Sequence, residues 1–308
     1  MANITAAMVK ALREKTGAGM MDCKKALVEA NGDEEKAVEI LRKKGLAKAA
    51  KKADRNAAEG RVTIYLSDDY KLGTIAEVNC ETDFVAKTDE FIEFTEEIVK
   101  TIAVNDIADV DSLMKTPFGE GTFEEELKVK IAKIGENIVV RRIATIKAPE
   151  NGIVNGYIHA GGRVGVLVAA ACDKPETCEA IKDTLKDIAM HIAAMKPLYL
   201  NPESVPADVI EKEKEIAKAQ LLKEGKPEQV IEKIIPGKIK KYYQEVCLTE
   251  QEYVKAEKKE SVAEALSKAA KAAGGEAKLV DFIGFEVGEG LVKNACNMAD
   301  EVAAALGE

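Results

Sequence analysis

Several residue types and motifs that common protein classes need are missing from this chain. Tryptophan is absent, aromatic residues make up 5% of the 308 residues, and only two histidines occur. The sequence contains no phosphate-binding GxxxxGK(S/T) loop, no GxGxxG after a predicted strand and no GxSxG nucleophile motif. We therefore expect no catalytic residues and no cofactor, and we favour a protein that acts by binding over an enzyme.

The cysteines and histidines are too sparse to suggest a metal site. Six cysteines occur, none in a CxxC pair. They are Cys23, Cys80, Cys172, Cys178, Cys247 and Cys296. Such spacing in a chain of this length predicts free thiols in a reducing compartment rather than a disulfide framework. The only histidines are His159 and His191, so we expect no metal, and a lone histidine is more often packed than catalytic.

Charge and hydropathy restrict the compartment and the partners. The chain has 45 Lys and Arg against 54 Asp and Glu, a net charge of −9, which disfavours a nucleic-acid binder. It shows no N-terminal signal segment and no run of about 18 apolar residues, so we predict a cytoplasmic protein that does not enter a membrane. Residues 1–55 carry thirteen Lys or Arg against eight Asp or Glu, a net charge of +5. This basic segment is either an ordinary solvated surface or a patch that steers an acidic partner.

The N-terminal segment has the pattern of three short helices. Apolar residues recur at helical spacing from Ile4, and a Gly-Ala-Gly sequence at 17–19 ends the first helix. A second helix is predicted over 22–30, and Asp33 is positioned to cap a third, which Gly45 closes. Because three helices in about 45 residues make a marginal core, we expect this unit to need a neighbour.

The rest of the chain contains a weak internal duplication at a shift of 92 residues. The matching positions are Lys71, Gly73, Ile75 and Cys80 against Arg163, Gly165, Leu167 and Cys172. In each copy the pattern predicts a hairpin of strands followed by a helix. The pattern predicts an α+β fold with two related subdomains, each an antiparallel sheet covered by helices, although chance identity is the alternative.

Two long charged helical runs, 209–224 and 228–243, predict a helical hairpin inserted into the second copy. Pro236 and Gly237 are expected to break or kink its second helix, and a further helix is expected near the C-terminus, to about residue 306. The resulting division has a head at 1–55, a first core subdomain at 56–150, a second at 151–200 with 246–285, the hairpin at 201–245 and a C-terminal module at 286–308.

One corner stands out, formed by Thr82, Asp83, Phe84 and Val85 between a predicted strand and a predicted helix. An aromatic residue beside an acid at such a corner can be presented to a partner. Alternatively, Phe84 packs the following helix onto the sheet, and Asp83 or Thr82 caps that helix.

Six stretches of the chain together resemble the bacterial elongation factor Ts family of translation. They are TGAGMMDCKKAL at 16–27, EVNC at 77–80, TDFVAK at 82–87, KIGEN at 133–137, AMHIA at 189–193 and FEVGEG at 285–290. The resemblance covers nearly the whole chain, and the TGAGMM and TDFV motifs are specific in combination. It implies a head of ubiquitin-associated type, two related core subdomains, a helical hairpin and a C-terminal helix.

The resemblance also implies a function, guanine nucleotide exchange on elongation factor Tu. By this resemblance, Thr82, Asp83, Phe84 and Val85 form the exchange loop: Phe84 wedges into the partner, and Asp83 weakens the coordination of its Mg²⁺. The partner is met both with GDP and without nucleotide, and GDP leaves so that GTP can bind.

The same resemblance assigns residues that contact the partner. It implies that Arg13, Met20, Met21 and Lys24 contact the partner's G domain, and that Ile134 and His159 lie on the partner-facing surface of the core. It leaves open whether the hairpin serves dimerisation or partner contact. The alternative function, suggested by the three-helix head alone, is a non-catalytic adaptor or chaperone-like binding protein.

Overall fold

A computed structural model describes residues 4–119 and 121–291 of the chain. The helices are α1 (Ala6–Thr16), α2 (Met20–Glu29), α3 (Glu34–Ala50), α4 (Asp83–Ala86), α5 (Asp89–Asn105), α6 (Val110–Lys115), α7 (Phe123–Ile134), α8 (Pro175–Ala180), α9 (Lys182–Met195), α10 (Ala207–Lys223), α11 (Glu228–Val246) and α12 (Val262–Ala272). The strands are β1 (Glu59–Leu66), β2 (Leu72–Cys80), β3 (Pro117–Phe118), β4 (Gly121–Thr122), β5 (Ile138–Lys147), β6 (Gly152–His159), β7 (Val164–Cys172) and β8 (Ala277–Glu286). The fold is α+β, as predicted.

The three helices of the head form where the sequence predicts them, apart from the end of α3. Gly17 ends α1 in a left-handed conformation, at φ 65°, and its N–H bonds to the carbonyl oxygen of Arg13 at 2.8 Å. Asp33 caps α3 by accepting a hydrogen bond from the N–H of Lys36. A small apolar core, with Leu12 and Leu27 at its centre, joins the helices.

The predicted end of α3 at Gly45 is wrong, because the helix continues to Ala50. Gly45 is buried, and a Cβ built on it would lie 3.4 Å from the Cβ of Ala132 in α7. Packing of α3 on α7 at this position compensates for the poor helix propensity of glycine. Arg42 of α3 adds an ion pair to Glu125 of α7 at 2.6 Å, so the head does pack on a neighbouring element.

The duplication is visible in the two three-stranded sheets. One has the order β1-β2-β5 and the other β6-β7-β8. Strand β2 begins at Leu72 and β7 at Val164, which reproduces the 92-residue shift, and α5 and α9 follow in the same relation. In the second sheet β7 pairs antiparallel with both β6 and β8. Helices α9 and α12 cover this sheet with buried leucines and isoleucines such as Leu185, Ile188 and Leu266.

Helices α10 and α11 pack on each other as the predicted hairpin, with Gly225 at φ 76° in the turn. Helix α11 is continuous through Pro236, so the expected break does not occur. Pro236 removes a hydrogen bond to the carbonyl of Glu232, but both residues are exposed and water can satisfy that carbonyl. Buried Ile231 and Ile239 hold the helix on either side. The expected C-terminal helix lies outside the described residues.

The described chain divides into two compact units. The first comprises residues 4–61, 76–119, 121–143 and 287–291, and the second comprises 62–75 and 144–286. The five-part division inferred from the sequence stays a prediction.

The prediction of free thiols fails for one pair of cysteines. Cys172, at the end of β7, and Cys178, in α8, form a disulfide with their Cα atoms 5.8 Å apart. The turn from strand to helix brings two residues that are six apart in sequence within the range that a disulfide requires. Cys23, Cys80 and Cys247 are free and buried.

A buried carboxylate in the first unit is surrounded by donors. Glu77 of β2 has no exposed side-chain surface. Its oxygens accept hydrogen bonds from Arg141 Nη1 at 3.1 Å, Arg142 Nε at 2.6 Å and the backbone N–H of Gly288 at 2.8 Å. Asn79 donates a further one at 3.2 Å. Glu77 thus connects β2 to β5 and to the segment that follows β8.

Replacing Glu77 with alanine should strongly destabilise the protein. The change removes the buried acceptor of Arg141 and of the Gly288 N–H, while Arg142 keeps its ion pair with Glu289 at 2.8 Å, and we expect a loss of about 3 kcal/mol in the free energy of unfolding. Urea denaturation followed by circular dichroism measures this. The matched control is Glu39→Ala, which removes only an exposed pair with Lys43 and should change stability by less than about 1 kcal/mol. Equal effects of the two variants would contradict the prediction.

His191 is a packed residue in α9, as expected for a lone histidine. It is fully buried, its Nε2 lies 2.9 Å from Gln251 Oε1, and its Nδ1 accepts a hydrogen bond from the N–H of Val254 at 3.3 Å. This pattern fits a neutral ring that donates through Nε2. Burial lowers the pKa of His191, and the hydrogen bond to Gln251 opposes the shift only in part.

Stability should therefore fall as the pH drops through about 6.5, the ordinary pKa of histidine. As the pH falls through this value, the unfolded chain takes up a proton at His191, whereas the folded chain does not. The contribution of neutral His191 to stability is therefore present above this pH and lost below it. Urea denaturation between about pH 8 and pH 5.5 measures the slope. His191→Gln should flatten it, whereas His159→Gln, which replaces an exposed histidine, should not. Identical slopes in the two variants would contradict this assignment.

Candidate functional site

The corner after β2 presents an aromatic side chain to solvent. Phe84 lies in the single-turn helix α4 and is 80% exposed. This exposure rules out the alternative in which Phe84 packs the following helix onto the sheet. Ala86 is the buried residue of α4, and Val85 is half-buried. The corner therefore presents one large apolar side chain to water, at a surface turn where residues can be offered to a partner.

The structure excludes the alternative in which Asp83 or Thr82 caps the long helix that follows the corner. Thr82 caps α4, because its Oγ1 accepts a hydrogen bond from the N–H of Val85 at 3.3 Å. The longer helix α5 is capped separately by Thr88, which accepts from the N–H of Phe91 at 3.3 Å. Thus neither Thr82 nor Asp83 caps α5.

Asp83 supplies a fixed negative charge beside Phe84. It is exposed and lies 2.6 Å from Lys87 Nζ, one turn along. The hydrogen bond from Lys87 lowers the pKa of Asp83. The corner therefore carries an apolar ring and a carboxylate that is ionised at neutral pH, on adjacent residues.

A second loop holds the backbone of the corner from behind. Glu136 follows the C-terminus of α7, where Gly135 adopts φ 91°. Glu136 Oε2 accepts hydrogen bonds from the N–H groups of Glu81 and Thr82 at 3.1 and 3.0 Å, and Oε1 accepts from the Thr82 hydroxyl at 2.6 Å. In return, Glu81 accepts from the N–H of Asn137 at 2.6 Å. The motifs at 82–87 and 133–137 are thus physically joined.

Cys80 adds one more bond to the corner. Its thiol donates to the carbonyl oxygen of Thr82 at 3.1 Å. Burial, followed by the nearby charge of Glu136, raises the pKa of Cys80 to about 12. The residue therefore stays a protonated donor and is not a reactive thiolate.

The head displays a different kind of surface. Met20 and Met21, at the start of α2, are 56% and 63% exposed, and Lys24 is exposed one turn later. Arg13 is exposed on α1. The opposite face of α2 packs inward through Cys23, Ala26 and Leu27. The two exposed thioethers, Met20 and Met21, give the head a flexible apolar surface.

The remaining two predicted contact residues belong to different compact units of the chain. Ile134 is the last residue of α7 and is half-buried in the first unit, immediately before the loop that contains Glu136. His159 ends β6 in the second unit, is exposed, and has Nδ1 3.0 Å from the hydroxyl of Tyr157.

A cleft of about 450 Å³ lies between α2 and α3 of the head and α7. Its charged lining residues are largely paired, for example Lys48 with Asp22 at 2.8 Å and Lys133 with Glu90 at 2.6 Å. Across residues 4–119 and 121–291, no group of three or more His, Cys, Asp and Glu side chains could hold a metal ion. Within the same ranges, no helix is long and apolar enough to span a membrane.

The residues that hold the corner were missed as site residues from the sequence. Glu136 and Asn137 lie in the motif at 133–137 and Glu81 lies in none of the six stretches, and no local pattern shows that residues about 55 apart share hydrogen bonds. A local signal was that the distinctive motif at 133–137 contains an acid, Glu136, directly after a glycine.

Comparison with known proteins identifies the relatives of this chain. A sequence model of the family described as Elongation factor TS matches residues 81–289. The protein named Elongation factor Ts of Nautilia profundicola is 90% identical over 306 residues, which is 99% of this chain and 100% of the relative. Its namesake from Nitratiruptor sp. is 59% identical over 303 residues, covering 98% and 99% of the two chains.

A more distant relative has the same extent. The protein named Elongation factor Ts of Clostridium novyi is 50% identical over 302 residues, which is 97% of each chain. The resemblance seen in the motifs thus extends along the whole sequence, including the corner at 82–85 and the loop that holds it. The chain belongs to the elongation factor Ts family of translation elongation factors.

Proposed function

We propose that this protein is a guanine nucleotide exchange factor for elongation factor Tu, and that it acts in the cytoplasm. The observation that carries the proposal is the 80% exposed Phe84 beside the ionised Asp83, on a corner held from behind by hydrogen bonds. Membership of the elongation factor Ts family supports it. The proposed activity forms and breaks no covalent bond, because it needs only differential binding to two states of the partner.

Phe84 and Asp83 would act on the nucleotide site of the partner in different ways. The phenyl ring gains by leaving water, so it can pay for a local displacement of the partner's helices. Mg²⁺ requires near-ideal octahedral geometry, and small shifts of its ligands cost much affinity. A carboxylate brought near that ion competes for it or for its ligands, so the two side chains together loosen GDP.

The head would supply affinity rather than exchange. Met20 and Met21 offer exposed apolar surface, and Arg13 and Lys24 add positive charge beside it. Flexible methionines adapt to a surface that changes shape between nucleotide states. We assign Ile134 and His159 to secondary contacts of the core with the partner. The adaptor alternative needs the head but gives no role to Phe84.

Phe84→Ala should abolish most of the acceleration of GDP release while leaving the fold intact. Because the ring is 80% exposed, its removal should change the free energy of unfolding by less than about 0.5 kcal/mol. Loss of a central aromatic contact typically costs 2 kcal/mol or more, roughly a thirtyfold loss of rate. Release of a fluorescent GDP from elongation factor Tu at fixed Mg²⁺ measures this.

The matched control for that experiment is Val104→Ala. Val104 is an apolar residue of α5 with 79% exposure that we assign no role. It should keep the full activity. If the unmodified protein does not accelerate GDP release from its cognate partner, the exchange function is refuted. The adaptor function is then favoured.

Replacing Met20 and Met21 together with alanine should weaken binding without lowering the limiting rate. We expect the concentration for half-maximal exchange to rise roughly tenfold, about 1.4 kcal/mol, because apolar contact is lost in bound states with and without nucleotide. A titration of the protein against labelled complex separates the two quantities. Val28→Ala removes a 56% exposed side chain from the same helix and should leave both unchanged. A lower limiting rate at saturation would contradict a purely binding role for the head.

A further inference from the structure

Helix α4 cannot by itself fix the orientation of the corner at residues 82–85. Helix α4 has four residues, far too few for a helix to be stable on its own. Its most important side chain, Phe84, is 80% exposed and cannot anchor the backbone by packing. Something outside the corner must therefore fix the direction in which Phe84 points.

The carboxylate of Glu136 makes the bonds that fix it. Both its oxygens are used, accepting two backbone N–H groups and the Thr82 hydroxyl at 2.6–3.1 Å. Because the Thr82 hydroxyl donates its hydrogen to Glu136, its oxygen lone pairs face the N–H of Val85. The hydrogen bond from that N–H to Thr82 Oγ1 is the N-terminal cap of α4. One carboxylate thus sets both the chain path into α4 and the first turn of the helix.

The second copy of the fold shows which part of this arrangement is common scaffolding. Asp173 corresponds to Glu81 at the 92-residue shift, and it accepts a hydrogen bond from the N–H of Glu276 at 3.0 Å. Glu276 precedes β8 as Asn137 precedes β5. The acid-to-amide bond that Glu81 makes with Asn137 is therefore present in both copies.

Glu136, by contrast, has no counterpart in the second copy. The equivalent position, directly before Glu276, is Gly275, where even a Cβ atom would clash with Thr177 Oγ1 at 1.9 Å. The segment equivalent to the corner, 174–177, carries no aromatic residue. The fold can therefore close this strand-to-helix turn without a Glu136, and the added carboxylate occurs in the copy that presents Phe84.

We propose that Glu136 is a positioning residue for exchange, which holds the corner at 82–85 so that Phe84 and Asp83 are presented in one fixed orientation. The inference rests on the proposed exchange function. Neutralising or removing this carboxylate should mobilise the corner and slow exchange, while the binding surface of the head stays intact.

The orientation of the corner can be tested without any partner. Since the chain contains no tryptophan, Phe84→Trp places a single fluorescent reporter at the corner. Adding Glu136→Gln to this variant should increase the nanosecond motion of Trp at position 84, measured by time-resolved anisotropy. Adding Glu124→Gln, which changes an exposed glutamate of α7 that pairs with Lys128, should not. Equal anisotropy in all three proteins would overturn the proposal.

The consequence for exchange is tested in the otherwise unmodified full-length chain. Glu136→Gln and Glu136→Ala should lower the limiting rate of GDP release by roughly tenfold to a hundredfold, since a displacement of about 1 Å of an acting group has effects of this size. The half-saturating concentration should change less than about twofold, because the head still binds. Glu124→Gln should keep both values, and thermal unfolding confirms that each variant is folded.

The outcomes separate this inference from the function on which it rests. A mobile corner together with unchanged exchange would overturn the positioning role while leaving the exchange function standing. A fall in rate that only follows the fraction of folded protein would overturn it as well. If the unmodified protein fails to accelerate GDP release, the exchange function fails first and the positioning role falls with it, whatever the anisotropy shows.

Discussion

Two glycines in strand interiors allow the close packing on which this fold depends. A Cβ on Gly73 of β2 would lie 2.7 Å from Val154 Cγ1, and one on Gly165 of β7 would lie 2.4 Å from Val62 Cγ1. Glycine weakens a strand, so its presence at both equivalent positions needs a packing reason. A sheet of three short strands is only marginally able to stand alone. Close approach at these two points buries strand surface that neither sheet could bury by itself.

The two copies differ at the corner on which the proposed exchange function rests. Both have a turn from the second strand into a short helix, and both fasten it with an acid, Glu81 or Asp173, that accepts an N–H group. The second copy closes its turn with the Cys172–Cys178 disulfide and Thr177. The first instead exposes Phe84 and adds Glu136. The two copies thus share the turn, and the first copy carries the aromatic residue and the carboxylate of the proposed exchange site.

Sequence reasoning was most accurate where a local pattern determines the structure. Alternating and helical periodicity gave the strands and helices, and the shift of 92 residues gave the repeated sheet. It failed where contacts distant in sequence decide the result. Gly45 lies inside α3 where that helix packs on α7, and of the break or kink expected at Pro236 the break is absent, because α11 continues between buried Ile231 and Ile239. The role of Glu136 was invisible for the same reason, since its bonds reach 54 residues back along the chain.

Rigidity of the corner has a thermodynamic consequence for the proposed exchange. A protein can lower the affinity of its partner for GDP only by the difference between its own affinities for the GDP-bound and nucleotide-free partner, and the coupling is reciprocal. Ordering a flexible residue on binding costs about 1–2 kcal/mol, which would be subtracted from the interaction with the nucleotide-free state. The bonds of Glu136, Cys80 and Glu81 order the corner during folding instead. The free energy gained when Phe84 leaves water is then available to distort the nucleotide site, which is why an exposed aromatic residue is useful there only on a fixed backbone.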